Sequence, residues 1–301
     1  MEIIATIPPP HREEKVLQIA KHPYVDAVRF NVGARTRVSP LETCISLKRL
    51  CGDKTLWLDL KGRQLRITRW ADLEFDPIRL NHRIKVDLPA TIILRNGTDE
   101  GIELPISRVC GRDVYVESGG RFVVGEGQSV NIHGENLKIE GYLTRTDEAY
   151  VNAGKLLGIN NFMLSFVEQE ADIEWIREVI PDANLVLKIE SEKGLELIAD
   201  SATKLLGNGM IHLMVARDDL MTNLVDPGAI WDVTQEMLSK DRRAIVASRI
   251  LTSLIKSAKP SLGDMADLKF LKQSRCYRMM LCDDLCTSEG FEDAMEILKE
   301  W

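Results

Sequence analysis

The stretch LVLKIESEKGLELIADSATKLLGNGMIHLMV (185–215) decides the fold, because it holds two short apolar runs separated by a longer amphipathic one. The outer runs, LVLKI (185–189) and IHLMV (211–215), are apolar at nearly every position, as strands buried on both faces are. The inner run, EKGLELIADSATKLL, has the apolar spacing of an amphipathic helix. The stretch therefore predicts a strand, a helix and a second strand of a parallel sheet.

The same alternation of strand and helix continues on both sides of this unit. Further short apolar runs are IIATI (3–7), VDAVRF (25–30), TLWLDL (55–60), FMLSFV (162–167), AIVAS (244–248) and YRMML (277–281). Helical patterns such as EADIEWIREVI and GFEDAMEILKEW follow most of them. Eight strands that alternate with helices predict an α/β fold of the TIM (β/α)8 barrel type. A doubly wound open sheet is the alternative.

The alternation fails once, between about residues 69 and 143. Short strand-like segments occur there, separated by Gly, Asn and Asp turns: KVDLPATIILRNG, GIELPI, DVYVES, RFVVGEGQSVNI and LKIEGYL. We therefore expect a small antiparallel, β-barrel-like domain at 69–143, inserted after the third strand of a TIM barrel formed by 1–68 and 144–301. In this fold such insertions emerge at the C-terminal face, where they can cover an active site as a lid.

Charge and composition exclude some classes of function. The formal net charge of the 301 residues is −7, which disfavours binding to nucleic acid or to an anionic membrane as a main role. The N-terminal sequence lacks the pattern of a signal peptide, and no apolar run is long enough to span a membrane. We therefore expect a cytoplasmic protein whose six cysteines are free thiols. The five histidines form no ligand pattern, and His212 is expected to be a core residue.

Polar residues gather at the predicted C-terminal ends of the strands. Because side chains alternate along a strand, Lys188 and Glu190 should lie on the same side. Alone, they suggest an ion pair at a strand end. Asp219, which follows the next strand, adds a second carboxylate, and the two carboxylates with substrate oxygens and water would complete a Mg²⁺ or Mn²⁺ site. The segment that begins at Arg217 would offer backbone N–H groups to a substrate carboxylate.

At these residues the sequence resembles the pyruvate kinase family. Matching segments occur in the family's order over most of the chain: ATIPP (5–9), VRFNVGA (28–34), LDLKGRQLR (58–66), LTRTD (143–147), SFV (165–167), KIE (188–190), MVARDDL (214–220), ASRILTSLI (247–255) and MMLCDD (279–284). The resemblance implies the family's barrel and its inserted lid domain. The family's C-terminal domain has no counterpart in these segments.

The resemblance also implies roles for individual residues. It makes Arg29 a phosphate contact, Lys188 a contact of the phosphoryl and enolate oxygens, and Ser248 a residue near the proton-transfer path. Further roles that it implies are a divalent metal site (Glu190, Asp219), part of a monovalent-cation site (Asn31, Asp59), a weak nucleotide contact (Arg66) and a dock for the substrate carboxylate (Asp218, Asp219). The implied cofactors are Mg²⁺ or Mn²⁺, with K⁺ less well supported.

Several positions depart from the family's pattern. Gly33 and Ala34 stand where the family has serine and histidine, which removes a cation ligand and a nucleotide contact. Leu60 replaces a threonine of the cation site, and Gln64 stands where the residue type tracks potassium dependence. Asp218 replaces a glycine and adds negative charge where the substrate carboxylate should dock. The half of the site that would bind enolpyruvate and metal is therefore better preserved than the half that would bind nucleotide and potassium.

Three functions fit this pattern. The first is a Mg²⁺-dependent phosphotransferase of pyruvate kinase type, acting on phosphoenolpyruvate or pyruvate with ADP or ATP. The second is a Mg²⁺-dependent lyase, aldolase or decarboxylase that acts on a keto acid through a metal-bound enolate. The third is a non-catalytic pseudokinase that binds a metabolite. All three take a small-molecule ligand, and all are compatible with a homo-oligomer.

Overall fold

The computed structural model describes residues 1–94, 101–117, 123–207 and 209–300. It divides the chain into two compact units, Met1–Leu60 with Arg145–Trp301, and Lys61–Thr144. The first unit begins with three parallel strands, β1 (Glu2–Ile7), β2 (Ala27–Asn31) and β3 (Thr55–Leu60). Nearly every residue of these strands is buried, as expected for strands that are covered on both faces.

The second unit is inserted in the chain after β3 and consists of antiparallel strands. Its strands in the described residues are β4 (Ala71–Asp72), β5 (Ile78–Arg79), β6 (Ile84–Lys85), β7 (Ala90–Leu94), β8 (Ile102–Cys110), β9 (Asp113–Val116), β10 (Val123–Val124), β11 (Val130–Gly134) and β12 (Lys138–Ile139). β11, β7, β8, β9 and β5 form a five-stranded sheet, and the others pair as β10–β4 and β12–β6. The predicted segments at 85–97, 113–118 and 121–132 extend partly outside the described residues.

Five more strands follow in the first unit, in the described part of the chain: β13 (Asn161–Leu164), β14 (Asn184–Ile189), β15 (Ile211–Ala216), β16 (Ile245–Ala247) and β17 (Arg278–Leu281). All five are parallel, and the order β1-β17-β16-β15-β14-β13-β3-β2 closes a barrel. The predicted TIM barrel with an antiparallel insertion after strand three is therefore confirmed, and the open sheet is excluded.

Helices surround the barrel and connect its strands. They are α1 (Glu13–Lys21), α2 (Pro40–Cys51), α3 (Arg145–Leu157), α4 (Ala171–Val179), α5 (Glu192–Leu206), α6 (Arg217–Asn223), α7 (Ile230–Lys240), α8 (Leu262–Gln273), α9 (Asp283–Thr287) and α10 (Phe291–Lys299). Helix α5 begins two residues after Glu190, because the Ser191 side chain accepts a hydrogen bond from the Gly194 N–H and caps the helix. None of the helices in the described ranges is long and apolar enough to cross a membrane.

Each unit has its own hydrophobic core. Alternate strand residues such as Trp57, Met163, Val186 and Met214 pack together inside the barrel. His212 is nearly buried on β15, with its Nδ1 3.5 Å from Asp241 Oδ2, as a core residue with a polar partner should be.

The second core explains where the units divide. Leu65 and Ile67 belong to the hydrophobic core of the inserted unit, and Ile67 pairs with Leu80 through an isolated β-bridge. The inserted unit spans Lys61–Thr144, and the strand pattern suggested 69–143. Residues 61–68 form isolated β-bridges at Arg66 and Ile67 and no regular strand, so the sequence pattern gives no signal that a new unit begins there.

Candidate active site

A buried lysine lies at the C-terminal end of the barrel among acidic and hydroxyl groups. Lys188 Nζ, on β14, lies 2.9 Å from Glu190 Oε1 and 3.5 Å from Asp59 Oδ1. It also donates a hydrogen bond of 2.8 Å to Ser165 Oγ. Glu190 and Asp59 are fully buried, so the charges of this cluster are compensated within the protein and not by solvent.

A second buried cation shares one of these carboxylates. Arg29, on β2, donates hydrogen bonds from Nε, over 2.9 Å, and from Nη2 to Asp59 Oδ2. Its Nη1 lies 3.3 Å from Thr6 Oγ1, which in turn donates to the Leu281 carbonyl over 2.8 Å. Arg29 and Lys188 are thus held side by side through Asp59, with a fixed orientation at the ends of β2, β3 and β14.

Glu190 has one oxygen that is suited to a further ligand. Its Oε2 accepts a hydrogen bond of 2.8 Å from the Phe166 N–H, which the left-handed backbone of Phe166, at φ 51°, points toward it. Its Oε1 is buried and, among the described residues, receives no hydrogen bond, although Lys188 Nζ is nearby. A buried carboxylate oxygen of this kind fits a hard divalent cation.

Burial and charge shift the pKa values in this cluster. Burial is the largest cause that raises the pKa of Glu190, and Asp219 adds to it, so that the pKa is about 7 in spite of the opposing effect of Lys188. Burial alone would lower the pKa of Lys188. Asp59 and Glu190 outweigh that effect and raise it above its ordinary value, so Lys188 is positively charged at neutral pH. The pKa of Arg29 is likewise raised, because Asp59 and Asp283 outweigh its burial.

The second predicted metal carboxylate belongs to the first turn of α6. Asp219 is half-buried, and the Asn223 side chain connects this helix to the end of β14. The neighbouring Asp218 pairs with Arg249, with 2.8 Å between Oδ1 and Nε. Among the described residues, no three His, Cys, Asp or Glu side chains are grouped to hold a metal by themselves. A metal at Glu190 and Asp219 would therefore take its remaining ligands from substrate and water.

Ser248 lies in an unusual backbone segment after β16. Ser248, Arg249 and Leu251 have positive φ values of 72°, 59° and 53°. The Ser248 carbonyl accepts a hydrogen bond of 2.9 Å from Arg217 Nη2. Arg217 also binds Asp267 with two hydrogen bonds, of 2.6 and 2.8 Å. Arg217, the first residue of the segment predicted to bind a substrate carboxylate, thus holds the backbone of Ser248, the predicted catalytic serine.

The residues of the predicted monovalent-cation site have other partners in the structure. Asn31 Oδ1 accepts a hydrogen bond of 3.0 Å from the Gly33 N–H, in a turn that the Ala34 N–H closes onto the Asn31 carbonyl. Asp59 is occupied by Arg29 and Lys188. A monovalent cation at this position would have to share the side-chain oxygens of Asn31 and Asp59 with these partners. The role of Asn31 and Asp59 as cation ligands therefore stays a prediction.

Arg66, the predicted nucleotide contact, belongs to the inserted unit. Its Nε and Nη2 donate to Gln64 Oε1 over 3.0 and 2.9 Å, and its Nη1 donates to the Gly127 carbonyl over 2.7 Å. The Arg66 guanidinium is therefore held in place by hydrogen bonds within the inserted unit. Any contact with a nucleotide would have to share or replace these hydrogen bonds, and this role also stays a prediction.

The structure adds residues that sequence reasoning did not single out. Thr6 and Ser165 bind the charged cluster directly, while Asn223 and Asp267 hold the backbone and side chains around it. Ser165 had one sequence signal, since it is the one polar residue of the apolar run FMLSFV (162–167). Asn223 had none, because its partners are backbone carbonyls that any residue could supply.

Comparison with known proteins identifies the family. A family model described as pyruvate kinase, barrel domain, matches residues 98–271, which is more than half of the chain. The chain belongs to the pyruvate kinase family. The resemblance that the sequence motifs suggested is thereby confirmed, and the closed barrel is the family's barrel domain.

Individual family members align over nearly the whole chain. A pyruvate kinase of Thermoplasma acidophilum is 23% identical to it, over 99% of this chain and 57% of the relative. A pyruvate kinase of Borreliella burgdorferi is 20% identical, over 89% of this chain and 60% of the relative. The chain thus spans less than two thirds of the length of these relatives.

The fold likeness extends to solved structures. The crystal structure of Cryptosporidium parvum pyruvate kinase superposes with a TM-score of 0.74 and 16% identity, covering 99% of this chain and 69% of that one. At this identity the likeness concerns the fold, and the chemistry has to be argued from the side chains of the site.

Proposed function

We propose that this pyruvate kinase family chain transfers a phosphoryl group between an enolpyruvate phosphate and a nucleoside diphosphate. The observation that supports this most strongly is the buried Lys188, held between Asp59 and Glu190 at the end of the barrel. Active sites of TIM barrels lie at that end. Phosphoryl transfer requires charge neutralisation and positioning above all, and a rigidly held cation supplies both.

Lys188 and Arg29 would each contact a different part of the anionic substrate. Lys188 keeps its proton at neutral pH, so it can hold negative charge on the phosphoryl and enolate oxygens. Arg29, fixed by Asp59, would contact the phosphate group. Both cations are almost completely buried, which strengthens their interaction with an anion that replaces water in the site.

Glu190 and Asp219 are the residues that would hold a divalent cation, Mg²⁺ or Mn²⁺. The buried Oε1 of Glu190, which is paired with the Lys188 ammonium but accepts no hydrogen bond among the described residues, supports this assignment. When bound, such a cation would neutralise charge on the phosphoryl oxygens. Phe166 and Lys188 hold the Glu190 carboxylate in place, and Asn223 holds the backbone of both carboxylate residues.

The remaining predicted roles complete the proposal. Ser248 would lie on the path of the proton that reaches the enolate, and the start of α6 at Asp218 and Asp219 would receive the substrate carboxylate. Asn31 and Asp59 would contribute to a monovalent-cation site. Since Ala34 stands where the family has a histidine that contacts the nucleotide, Arg66 would be a main contact to ADP or ATP. The loss of a charge-assisted hydrogen bond costs about 1.5–3 kcal/mol, so we expect weak nucleotide binding.

Product analysis tests the proposal. The protein would be incubated with phosphoenolpyruvate, ADP and Mg²⁺ or Mn²⁺, and ATP and pyruvate would be measured. We expect both products in equal amounts, and their loss in Lys188→Ala. The matched control is Lys240→Ala, which removes a lysine on the surface helix α7 that pairs with Glu236 over 3.4 Å. Absence of ATP with either metal, together with turnover of oxaloacetate to pyruvate, would replace the kinase with a lyase.

A further inference from the structure

A single side-chain amide connects the two carboxylate residues of the proposed metal site. Asn223, the last residue of α6, donates hydrogen bonds from Nδ2 to the Glu190 carbonyl, over 3.0 Å, and to the Asp219 carbonyl, over 2.8 Å. Both partners are carbonyl oxygens, which only accept, so the amide nitrogen must be the group that faces them. The two N–H bonds of the amide serve one carbonyl each.

These two carbonyls belong to different parts of the barrel. Glu190 directly follows β14, whereas Asp219 lies in the first turn of α6, which directly follows β15. The bond to Asp219 is local, four residues back along the helix. The bond to Glu190 spans 33 residues and joins the two strand ends. A third hydrogen bond supports the same junction, from the Val225 N–H to Glu192 Oε1 over 2.8 Å.

We infer that Asn223 is a positioning residue that sets the separation of Glu190 and Asp219 for a divalent cation. This inference rests on the proposed function, because it takes these two carboxylates as the metal ligands. Metal ions bind tightly only when the surrounding residues hold their ligands in place, and Mg²⁺ is especially strict about geometry. The hydrogen bonds of the Asn223 amide go to the backbone carbonyls of Glu190 and Asp219, so it acts through the backbone of both residues.

A purely structural role is the alternative. Asn223 could serve only to cap the end of α6, in which case its loss would lower stability and leave metal affinity unchanged. The two roles therefore differ in one measurable quantity, the dissociation constant of the metal relative to the change in thermal stability.

The test uses Mn²⁺ alone as the probe, with free Mn²⁺ measured by electron paramagnetic resonance during titration of the full chain. Asn223→Ala removes both hydrogen bonds. Asn223→Asp has almost the same shape but presents a carboxylate that cannot donate to the two carbonyls. Asn223→Gln keeps the amide donor on a longer side chain. The matched control is Thr222→Val, which removes the hydrogen bond from Thr222 Oγ1 to the Asp218 carbonyl in the same helix.

We expect Asn223→Ala and Asn223→Asp to weaken Mn²⁺ binding about 10- to 100-fold, within the range typical for residues that support metal ligands. Asn223→Gln should recover part of this loss, and Thr222→Val should bind like wild type. Thermal unfolding of each variant shows whether it is folded at the titration temperature, and the Asp and Gln variants keep the test valid if the Ala variant is not.

Two outcomes would overturn the inference, and they are distinguishable. If wild type binds Mn²⁺ and the Asp and Ala variants bind it within about twofold of wild type, Asn223 is a structural cap. If wild type itself binds no Mn²⁺, with or without phosphoenolpyruvate, the metal site of the proposed function fails and the positioning role fails with it.

Discussion

Arg249 Nε lies 2.8 Å from Asp218 Oδ1, so an ion pair connects the segments that follow β15 and β16. Both side chains are partly exposed, at 45% for Arg249 and 37% for Asp218. Asp218 stands beside the proposed metal ligand Asp219, where the family resemblance implies glycine and an anionic substrate group. The ion pair explains how an additional carboxylate is accommodated there, because Arg249 balances its charge.

We predict that removing Arg249 weakens the binding of an anionic substrate. In Arg249→Gln the negative charge of Asp218 is no longer balanced, so it repels the anionic substrate. One unit charge in this partly solvated position should weaken the binding of phosphoenolpyruvate by about 1 kcal/mol, or roughly fivefold in affinity. The measurement is a phosphoenolpyruvate titration in the presence of Mn²⁺. The effect should shrink at high salt, because solvent-exposed charges are screened.

The double variant Asp218→Asn/Arg249→Gln is the control for this prediction. It removes both charges, so its affinity should return close to that of wild type, and the double-mutant cycle should show a clear coupling between the two positions. If the single and double variants bind phosphoenolpyruvate equally, the ion pair does not influence the substrate site.

A second prediction concerns the stability of the buried charge cluster. Lys188→Met removes one of the two cations that face Asp59 and the group that lowers the pKa of Glu190, so Glu190 must take up a proton at neutral pH. Breaking a buried pair in this way costs about 3–5 kcal/mol. Lys188→Met/Glu190→Gln puts a neutral amide in place of the carboxyl that would have to be protonated, and it should recover a large part of that loss. Urea unfolding at neutral pH measures both changes. Equal destabilisation by the single and the double variant would show that Lys188 and Glu190 are not energetically coupled.

The features of the site that follow from strand geometry could be predicted from the sequence. Lys188 and Glu190 are two residues apart, and alternation along β14 places them on one side, where the structure puts their charged groups 2.9 Å apart. Asp59 and Arg29 lie near the ends of parallel neighbours, and all such ends meet at one face of a barrel. The alternation of side chains along a strand and the order of the strands were sufficient to predict that these residues lie together.

Features that depend on irregular backbone could not be predicted in the same way. The Phe166 N–H reaches Glu190 only because Phe166 adopts a positive φ, and a bulky residue gives no sequence signal for that conformation. Asn223 and Asp267 act on groups that are 33 and 50 residues away in the chain. Their partners are defined by the closed barrel and not by any local pattern.

A third prediction tests how Arg217 holds the segment after β16. Three left-handed residues in a row of four store backbone strain of about 1–3 kcal/mol each, which the surroundings must offset. Arg217→Lys keeps the charge but loses the planar group that binds Asp267 and the Ser248 carbonyl together. We expect hydrogen exchange of the 248–251 amides to be at least tenfold faster, which corresponds to about 1.4 kcal/mol.

The control for Arg217→Lys is the same substitution at the exposed Arg242, which should leave exchange of these amides unchanged. Faster exchange throughout the barrel in Arg217→Lys, without a larger change at 248–251, would indicate a general loss of stability. That result would contradict a specific role of Arg217 in holding the segment.

The last prediction is a pH dependence of stability at Asp241, far from the proposed metal ligands in the sequence. Burial would raise the pKa of Asp241, but the hydrogen bonds it accepts outweigh this and hold the pKa below its ordinary value of 3.8. The donors are His212 and the backbone N–H groups of Leu213 and Arg243, the last two at 2.8 Å. In the folded protein this carboxyl therefore binds its proton less readily than in the unfolded chain.

The sign of the effect follows from this difference. At a pH above the ordinary value of 3.8, which the unfolded chain retains, the carboxylate contributes its full stabilisation, and the contribution is lost as the pH falls through the lower folded value. Asp241→Asn removes the charge, so it should be less stable than wild type by about 1–3 kcal/mol at neutral pH. This gap should narrow as the pH falls below about 4. Urea unfolding of wild type and Asp241→Asn at closely spaced pH values measures this gap. Subtracting one curve of unfolding free energy against pH from the other cancels the contributions of the other carboxyl groups. A gap that stays constant down to the acid limit of folding would show that the pKa of Asp241 is not lowered in the folded protein.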